Sequence, residues 1–370
     1  MFLLERLLGV CSYMVVSFSG FFAIKKAQKK WQIHLIFLLV LVVLTIMAYF
    51  FVPTEYTDLY RWTEYMHIYR LRDIKTFFSF AITRDTPGSH LYIYLISKLN
   101  NDRLLPAITN LIVYSLIFYI FLSASSKNKI SSNGIAYTFL AFMCAGRFLE
   151  IISYIRFFIA ALMIAVCVYR EIYLKRFNVF HLLLYAAAIS FHTFSIVLIG
   201  LRLVLLLFKM RWYISLIIVS IAASLLVLFS VLFSQQFASF ISKVVYYLFD
   251  TSYVYVWEYI ISALWLLLLC FLMLNYYLFV NNKKNNNDYL LLIAVLLVSS
   301  FVFCFIYTVF QRLVSFVFVV SLPVLMVVFD NKINQRMDIP IKTISILIIL
   351  AICILACSRG NLCAYKYFII

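Results

Sequence analysis

Charge is scarce. Asp, Glu, Lys and Arg together make up 12% of the 370 residues, where a soluble domain carries about a quarter. Hydrophobic residues fill 66% of the chain and the mean hydropathy is +1.04. This deficit excludes a soluble globule, a disordered chain and a secreted disulfide scaffold. It leaves an integral membrane protein made of helices, because in lipid each segment must satisfy its own backbone hydrogen bonds. Polar–apolar alternation, which a transmembrane barrel needs, is lacking as well. Glycine is rare, at seven residues. There is no P-loop, no Gly-rich dinucleotide turn, no nucleophile elbow, no HExxH and no cluster of metal carboxylates, so the sequence implies no cofactor and no metal. The eight cysteines are mostly scattered through apolar segments. Cys353 and Cys357 stand one helical turn apart with no His or carboxylate beside them, and all eight read as small core residues.

Acids are the scarcer charge: 14 against 31 Lys plus Arg, a net +17 and a pI near 9.5. In a soluble protein that balance points to nucleic acid. Here the positive-inside rule claims most of the excess, and nucleic acid is not an expected partner. The first apolar segment, about 7–24, has only Glu5 and Arg6 in front and Lys25, Lys26, Lys29 and Lys30 directly behind. A signal peptide carries its charge in front, so this segment reads as an uncleaved span with its N-terminus outside. Further spans are expected at about 34–52, 104–122, 135–146, 154–169, 212–233, 258–280, 289–309, 313–329 and 341–356. Residues 180–208 are too many for one upright span and few for two. A break and return near His192 puts every basic cluster in the cytoplasm, and irregular backbone at that depth needs protein or a wet cavity around it. The expected fold is therefore an all-α polytopic membrane protein. It would be a single integral membrane domain over 1–370, with about 11–12 transmembrane helices including a short or re-entrant pair. Both termini lie outside, with a first periplasmic loop at 53–88 and a second at 234–257.

Outside the cytoplasmic clusters, the remaining cations are mostly arginine: Arg61, Arg70, Arg72, Arg84, Arg103, Arg147, Arg156, Arg312 and Arg359. Positive charge on that side opposes the topology rule. Arginine grips phosphate through two parallel hydrogen bonds, so the set suits a lipid-linked phosphate or pyrophosphate. Arg156, at the head of an apolar span, is either that ligand or an interface anchor that snorkels to headgroups. Arg312, after Gln311, has the same two readings. Arg147 and Glu150 are one turn apart and either pair with each other or serve the site. His192 is either a hydrogen-bonded packing residue or a contact for substrate or proton. The first outer loop interleaves aromatics with charge in Tyr56, Asp58, Tyr60, Arg61 and Trp62. Aromatic faces and carboxylates together are what sugar recognition needs, and an interfacial aromatic belt is the plainer alternative. Asp58, Asp85, Glu150, Asp250 and Glu258 are the acids available as a general base, and spacing does not choose among them.

Several short segments resemble the EpsG-like, Wzy-type polysaccharide polymerases. They are Tyr56-Thr57-Asp58 through Tyr60, Pro87-Gly88 before Leu95-Ile96-Ser97-Lys98-Leu99, Arg156-Phe157-Phe158-Ile159-Ala160, Phe191-His192-Thr193-Phe194-Ser195, Gln311-Arg312 and Ala364-Tyr365-Lys366-Tyr367-Phe368. Their order covers nearly the full length. The pattern departs in one place: the family commonly has an acid directly before Pro-Gly, where this chain has Thr86, with Asp85 one earlier. The resemblance implies a GT-C-like membrane glycosyltransferase of the bacterial inner membrane, active on the periplasmic face in O-antigen or lipopolysaccharide biosynthesis. Such an enzyme joins oligosaccharide repeat units carried on undecaprenyl diphosphate, with the lipid pyrophosphate as leaving group and no cofactor. The implied partners are that lipid-linked oligosaccharide, membrane lipid and a chain-length regulator protein. On this reading Arg147, Arg156 and Arg312 hold the pyrophosphate. Asp58, Glu150 and His192 supply the catalytic groups, and Tyr56, Tyr60, Arg61 and Trp62 meet the sugar. The rivals are a lipid-linked oligosaccharide flippase, which should show two related halves, and another membrane transferase, an O-antigen ligase or an acyltransferase built around His192.

Overall fold

The computed structural model describes residues 2–51, 53, 58–145, 148–209, 256–279 and 287–330, together with 333, 345, 348, 349 and 351. Tyr56, Arg147, Asp250, Arg359, Cys353, Cys357, the span at 212–233, most of the span at 341–356 and nearly all of the loop at 234–257 lie outside the described residues.

Among the described residues the chain is helical, without strands. The long helices are α1 (Phe2–Lys26), α2 (Lys30–Tyr49), α6 (Leu104–Asn128), α12 (Val256–Phe279) and α14 (Tyr307–Val328). Shorter ones are α3 (Asp58–Arg70), α4 (Ile74–Ile82), α5 (Pro87–Ser97), α7 (Ser132–Ala145), α8 (Phe148–Ser153), α9 (Ile155–Val168), α10 (Phe180–Phe191), α11 (Ser195–Lys209) and α13 (Asn287–Val302). Among the described residues four helices are long and apolar enough to cross a membrane: Lys30–Tyr49, Leu104–Asn128, Tyr259–Leu278 and Tyr307–Val328. With the shorter apolar helices they make an all-α, multi-pass membrane protein, as the composition requires.

Burial orders the bundle. A helix that is apolar all round belongs inside, and α9 and α14 are buried on nearly every residue. In α2, by contrast, only Ile33, Phe37, Val40, Leu44, Met47 and Ala48 are buried, one stripe at helical spacing. The rest of that helix faces outward. α6, α7 and α12 pack around α14, and α1 and α2 pack on α7 and α6. At one end Asp330 ties α14 to the start of α7, accepting from the Ser131 N–H at 2.6 Å and the Ser131 hydroxyl at 2.8 Å.

The chain does double back at His192. After α9 a π-helical turn, Tyr169–Tyr173, carries Glu171. The Tyr185 hydroxyl of α10 donates to Glu171 Oε2 at 3.1 Å, and Arg202 Nε of α11 lies 3.7 Å from the same oxygen. Those two residues would stand roughly 25 Å apart along one continuous helix. Meeting at one carboxylate, they make α10 and α11 the two limbs of a hairpin with His192 at its tip.

α3, α4 and α5 cap the end of the bundle from which α9 starts. Lys98, just past α5, donates to the carbonyls of Tyr69 (3.1 Å), Arg70 (3.1 Å) and Arg72 (2.7 Å), closing the C-terminus of α3. The structure differs from the expected spans at the end of α6, which runs on to Asn128, and at the start of α14. α13 ends at Val302 and α14 begins at Tyr307, so Arg312 sits in the second turn of a helix rather than ahead of one. The intervening Phe303, Cys304, Phe305 and Ile306 are apolar, and hydropathy has no contrast there to mark a turn.

Candidate functional site

Three buried or half-buried polar side chains meet where the hairpin tip reaches the heads of α9 and α14. Arg156 is in the first turn of α9, Arg312 in the second turn of α14, and His192 between α10 and α11. Phe157, next to Arg156 in α9, touches both the His192 ring and the Arg312 guanidinium. Aromatic rings space them. His192 stands edge-on to Phe157 at 5.8 Å and 77°. The Arg312 Cζ lies 5.8 Å from the ring centres of both Phe157 and Phe194. The Phe194 backbone N–H donates to His192 Nδ1 at 3.0 Å. A neutral imidazole therefore carries its proton on Nε2 and presents it as a donor.

Arg156 is held from the cap. Its Nη1 donates to Thr86 Oγ1 at 3.3 Å, and its guanidinium lies 4.4 Å over the Trp62 ring. Thr86 is the residue before Pro87 at the start of α5. Gln311, the neighbour of Arg312, donates from Nε2 to Glu150 Oε1 at 3.1 Å, which brings the short helix α8 to the same place. Behind that bond a small apolar pocket opens between α6, α7, α8, α9, α12 and α14, lined by Ile117, Phe142, Phe158, Trp265, Val314 and Phe318 among others. Its hydroxyl, on Ser315, is turned back to the Gln311 carbonyl at 2.9 Å.

Of the residues expected from sequence, Arg156, Arg312, His192, Glu150 and Trp62 come together. Asp58 and Arg61 pair with each other on the exposed first turn of α3. Tyr60 is half-buried on the same turn. Tyr56 and Arg147 lie outside the described residues. Among the described residues no group of three His, Cys, Asp or Glu is placed to hold a metal.

Sequence reading missed His90. It is buried in α5 inside a box of Trp62, Tyr65, Tyr69 and Phe80, with ring centres 5.6, 5.9, 6.1 and 6.0 Å away. Tyr69 Oη is 2.6 Å from His90 Nδ1. Burial pushes the Tyr69 phenol up to about 12, so it keeps the proton it donates. The available signal was a lone His in an apolar stretch after Pro-Gly, the same signal that singled out His192. Burial pushes the His90 imidazole down to about 4, and the nearby Arg156 and Arg84 guanidiniums add to the effect. Above pH 6.5 the ring is neutral in both folded and unfolded chains, and its contribution to stability is complete. As the pH falls from 6.5 towards 4 the unfolded chain takes up a proton that the folded one refuses, and stability is lost. Hydrogen-exchange protection of residues 87–97 is expected to be flat above pH 6.5 and to fall across that window. In His90→Asn, which keeps an acceptor for Tyr69, the decline should vanish.

Gly88 sets how closely α5 approaches the hairpin tip. A Cβ there would overlap Ser190 Oγ and press on Ser190 Cβ (3.1 Å) and Phe191 Cδ2 (3.2 Å). Gly88→Val is expected to push α10 away from α5 and move His192, at about 1–3 kcal/mol of overpacking. The melting temperature of the purified protein should decline.

The sequence model of the EpsG family matches residues 34–369. No curated protein and no solved structure matches the chain.

Proposed function

Because the chain belongs to the EpsG family, a family of Wzy-like polysaccharide polymerases and glycosyltransferases, we propose that it joins lipid-diphosphate-linked oligosaccharide repeat units into a surface polysaccharide. The reaction takes place on the periplasmic face of the inner membrane. The observation that carries this reading is the gathering of Arg156, Arg312 and His192 around Phe157, which follows Arg156 in α9 and meets both the His192 ring and the Arg312 guanidinium. Two guanidiniums and an N–H donor in a low-dielectric site suit a diphosphate that gains charge as it leaves. The glycosidic bond between the sugar's anomeric carbon and the phosphate oxygen breaks, and its electron pair stays on the diphosphate. A hydroxyl oxygen of the acceptor repeat unit takes the anomeric carbon, and its proton passes to a carboxylate. Glu150, held by Gln311 beside Arg312, is the acid assigned that proton; Asp58 is engaged by Arg61 on the rim. His192, with Nδ1 engaged by the backbone, donates through Nε2 to a phosphate oxygen. The apolar pocket behind Gln311 suits a small part of the carrier lipid's hydrocarbon. Trp62, Tyr60 and Arg61 lie on the side from which sugars arrive.

The test is the saccharide profile of a strain lacking the gene, resolved on a gel. Lipid core carrying a single repeat unit, with the ladder absent and restored by this chain, supports polymerisation. Loss of all capped core points instead to flipping or ligation and overturns the proposal.

A further inference from the structure

The cap helix α4 carries more apolar surface than the protein covers. Phe77 and Ala81 are buried, and Phe77 stacks on Tyr94 at 4.0 Å. Ile74, Phe78 and Ile82 recur every fourth residue, so they form a stripe beside that buried pair. All three are exposed, Ile82 at 71%, and Leu71, one turn earlier, is 90% exposed. Lys75, Thr76, Ser79 and Thr83 occupy the opposite side and are exposed as well. The apolar arc of α4 thus continues past the edge of the fold, and a second apolar phase must meet it. Cations flank the stripe. Arg72 precedes α4 and Arg84 follows it. Their guanidiniums lie 4.6 and 4.2 Å over the same Phe80 ring. Among the described residues no carboxylate is paired with either one. Asp73, the neighbour of Arg72, is occupied in capping α4 through the N–H groups of Lys75 and Thr76.

We propose that α4 is an interfacial helix that lies in the leaflet at this end of the bundle. Its Leu71–Ile74–Phe78–Ile82 stripe enters the hydrocarbon, and Arg72 and Arg84 grip the phosphates of anionic phospholipids. A helix with an apolar stripe, a polar back and flanking cations binds a membrane surface in this way, through buried apolar area and attraction to anionic headgroups. The guanidinium fork matches a phosphate, and stacking on Phe80 holds both forks at headgroup height. The inference does not depend on the polymerase reading, since it concerns what covers this helix and not what the chain makes. It has a consequence for the neighbouring site, because Phe80 is also a wall of the His90 box whose opposite wall, Trp62, supports Arg156. Seating α4 in lipid would steady that whole row.

The experiment uses the full chain in nanodiscs of equal parts phosphatidylglycerol and phosphatidylcholine. The photo-crosslinker p-benzoylphenylalanine is placed at Phe78 or Ile82 on the stripe, and at Ser79 on the polar back. Intact-mass analysis after irradiation should show phospholipid adducts at both stripe positions, at least tenfold above Ser79. Phosphatidylglycerol should dominate the adducts, by about fivefold for each arginine. R72A/R84A should bring the two lipids to parity while the adducts persist. Stripe adducts no stronger than Ser79 overturn the membrane placement, and a ratio already at parity in the native chain overturns the phosphate grip. Crosslinking of the stripe to another protein in native membranes assigns the surface to a protein partner and overturns the proposal.

Discussion

Arg156→Ala, made at native level in a strain lacking the chromosomal gene, is expected to lose polymer about tenfold to a hundredfold. The side chain does two things that alanine cannot replace. It brings a permanent positive charge to within reach of His192, and it is held in place by Thr86 and by the Trp62 face. A charge-assisted hydrogen bond contributes about 1.5–3 kcal/mol, and losing it in the transition state alone slows the reaction by that factor. Arg156→Lys separates charge from geometry. An ammonium keeps the sign but lacks the planar fork and its stacking, so an intermediate loss is expected. Trp62→Leu removes the platform and leaves the charge, and should resemble the lysine variant rather than the alanine one. Arg312→Ala should approach Arg156→Ala, because its guanidinium faces the same imidazole from the other helix. The measurement is ladder density on a gel against immunoblotted protein. A full ladder from Arg156→Ala at normal abundance would show that this arginine is only a headgroup anchor, and the leaving-group role would fall with it.

Much of this site could be read from the sequence because membranes make polar residues conspicuous. Arg156, Arg312 and His192 stood out against apolar surroundings, and the length of 180–208 forced a choice that the hairpin answers. Other features were hidden for physical reasons. The loop at 53–88 contains α3, α4 and the start of α5, whose apolar positions alternate between protein-facing and uncovered sides, so no single amphipathic stripe marks them. His90 is enclosed by rings that come from two other helices, α3 and α4, and nothing in their spacing shows that they converge. The start of α14 was obscured by the apolar turn before it. Arg202 was the missed opportunity. It is a charge inside the apolar run 195–208, and such a residue is expected to have a partner facing the bundle interior. That partner is Glu171, thirty-one positions earlier on another element.

That pair supports the second large effect. Glu171→Ala is expected to destabilise the protein by about 3–5 kcal/mol, since removing one member of a buried pair leaves the other charge without compensation. Arg202 and Glu171 retain only 14% and 9% of their side-chain exposure, so water offers little relief. The damage should be directional. Glu171 is where both limbs of the hairpin are fastened, through Tyr185 on α10 and Arg202 on α11, and His192 is the tip of that hairpin. Loss of the clasp should therefore reduce polymer even in the fraction of protein that still folds. Glu171→Gln keeps an acceptor for Tyr185 and should cost less. The double variant Glu171→Leu with Arg202→Met is the informative one. It removes both charges and fills the same space, so a buried pair predicts stability near the native value, recovered from either single change. Melting of the four proteins in detergent measures the coupling directly. If the double variant melts as low as Glu171→Leu plus Arg202→Met taken separately, the two side chains do not act as a pair. The hairpin must then be held by packing on its neighbours, α9, α5 and α13.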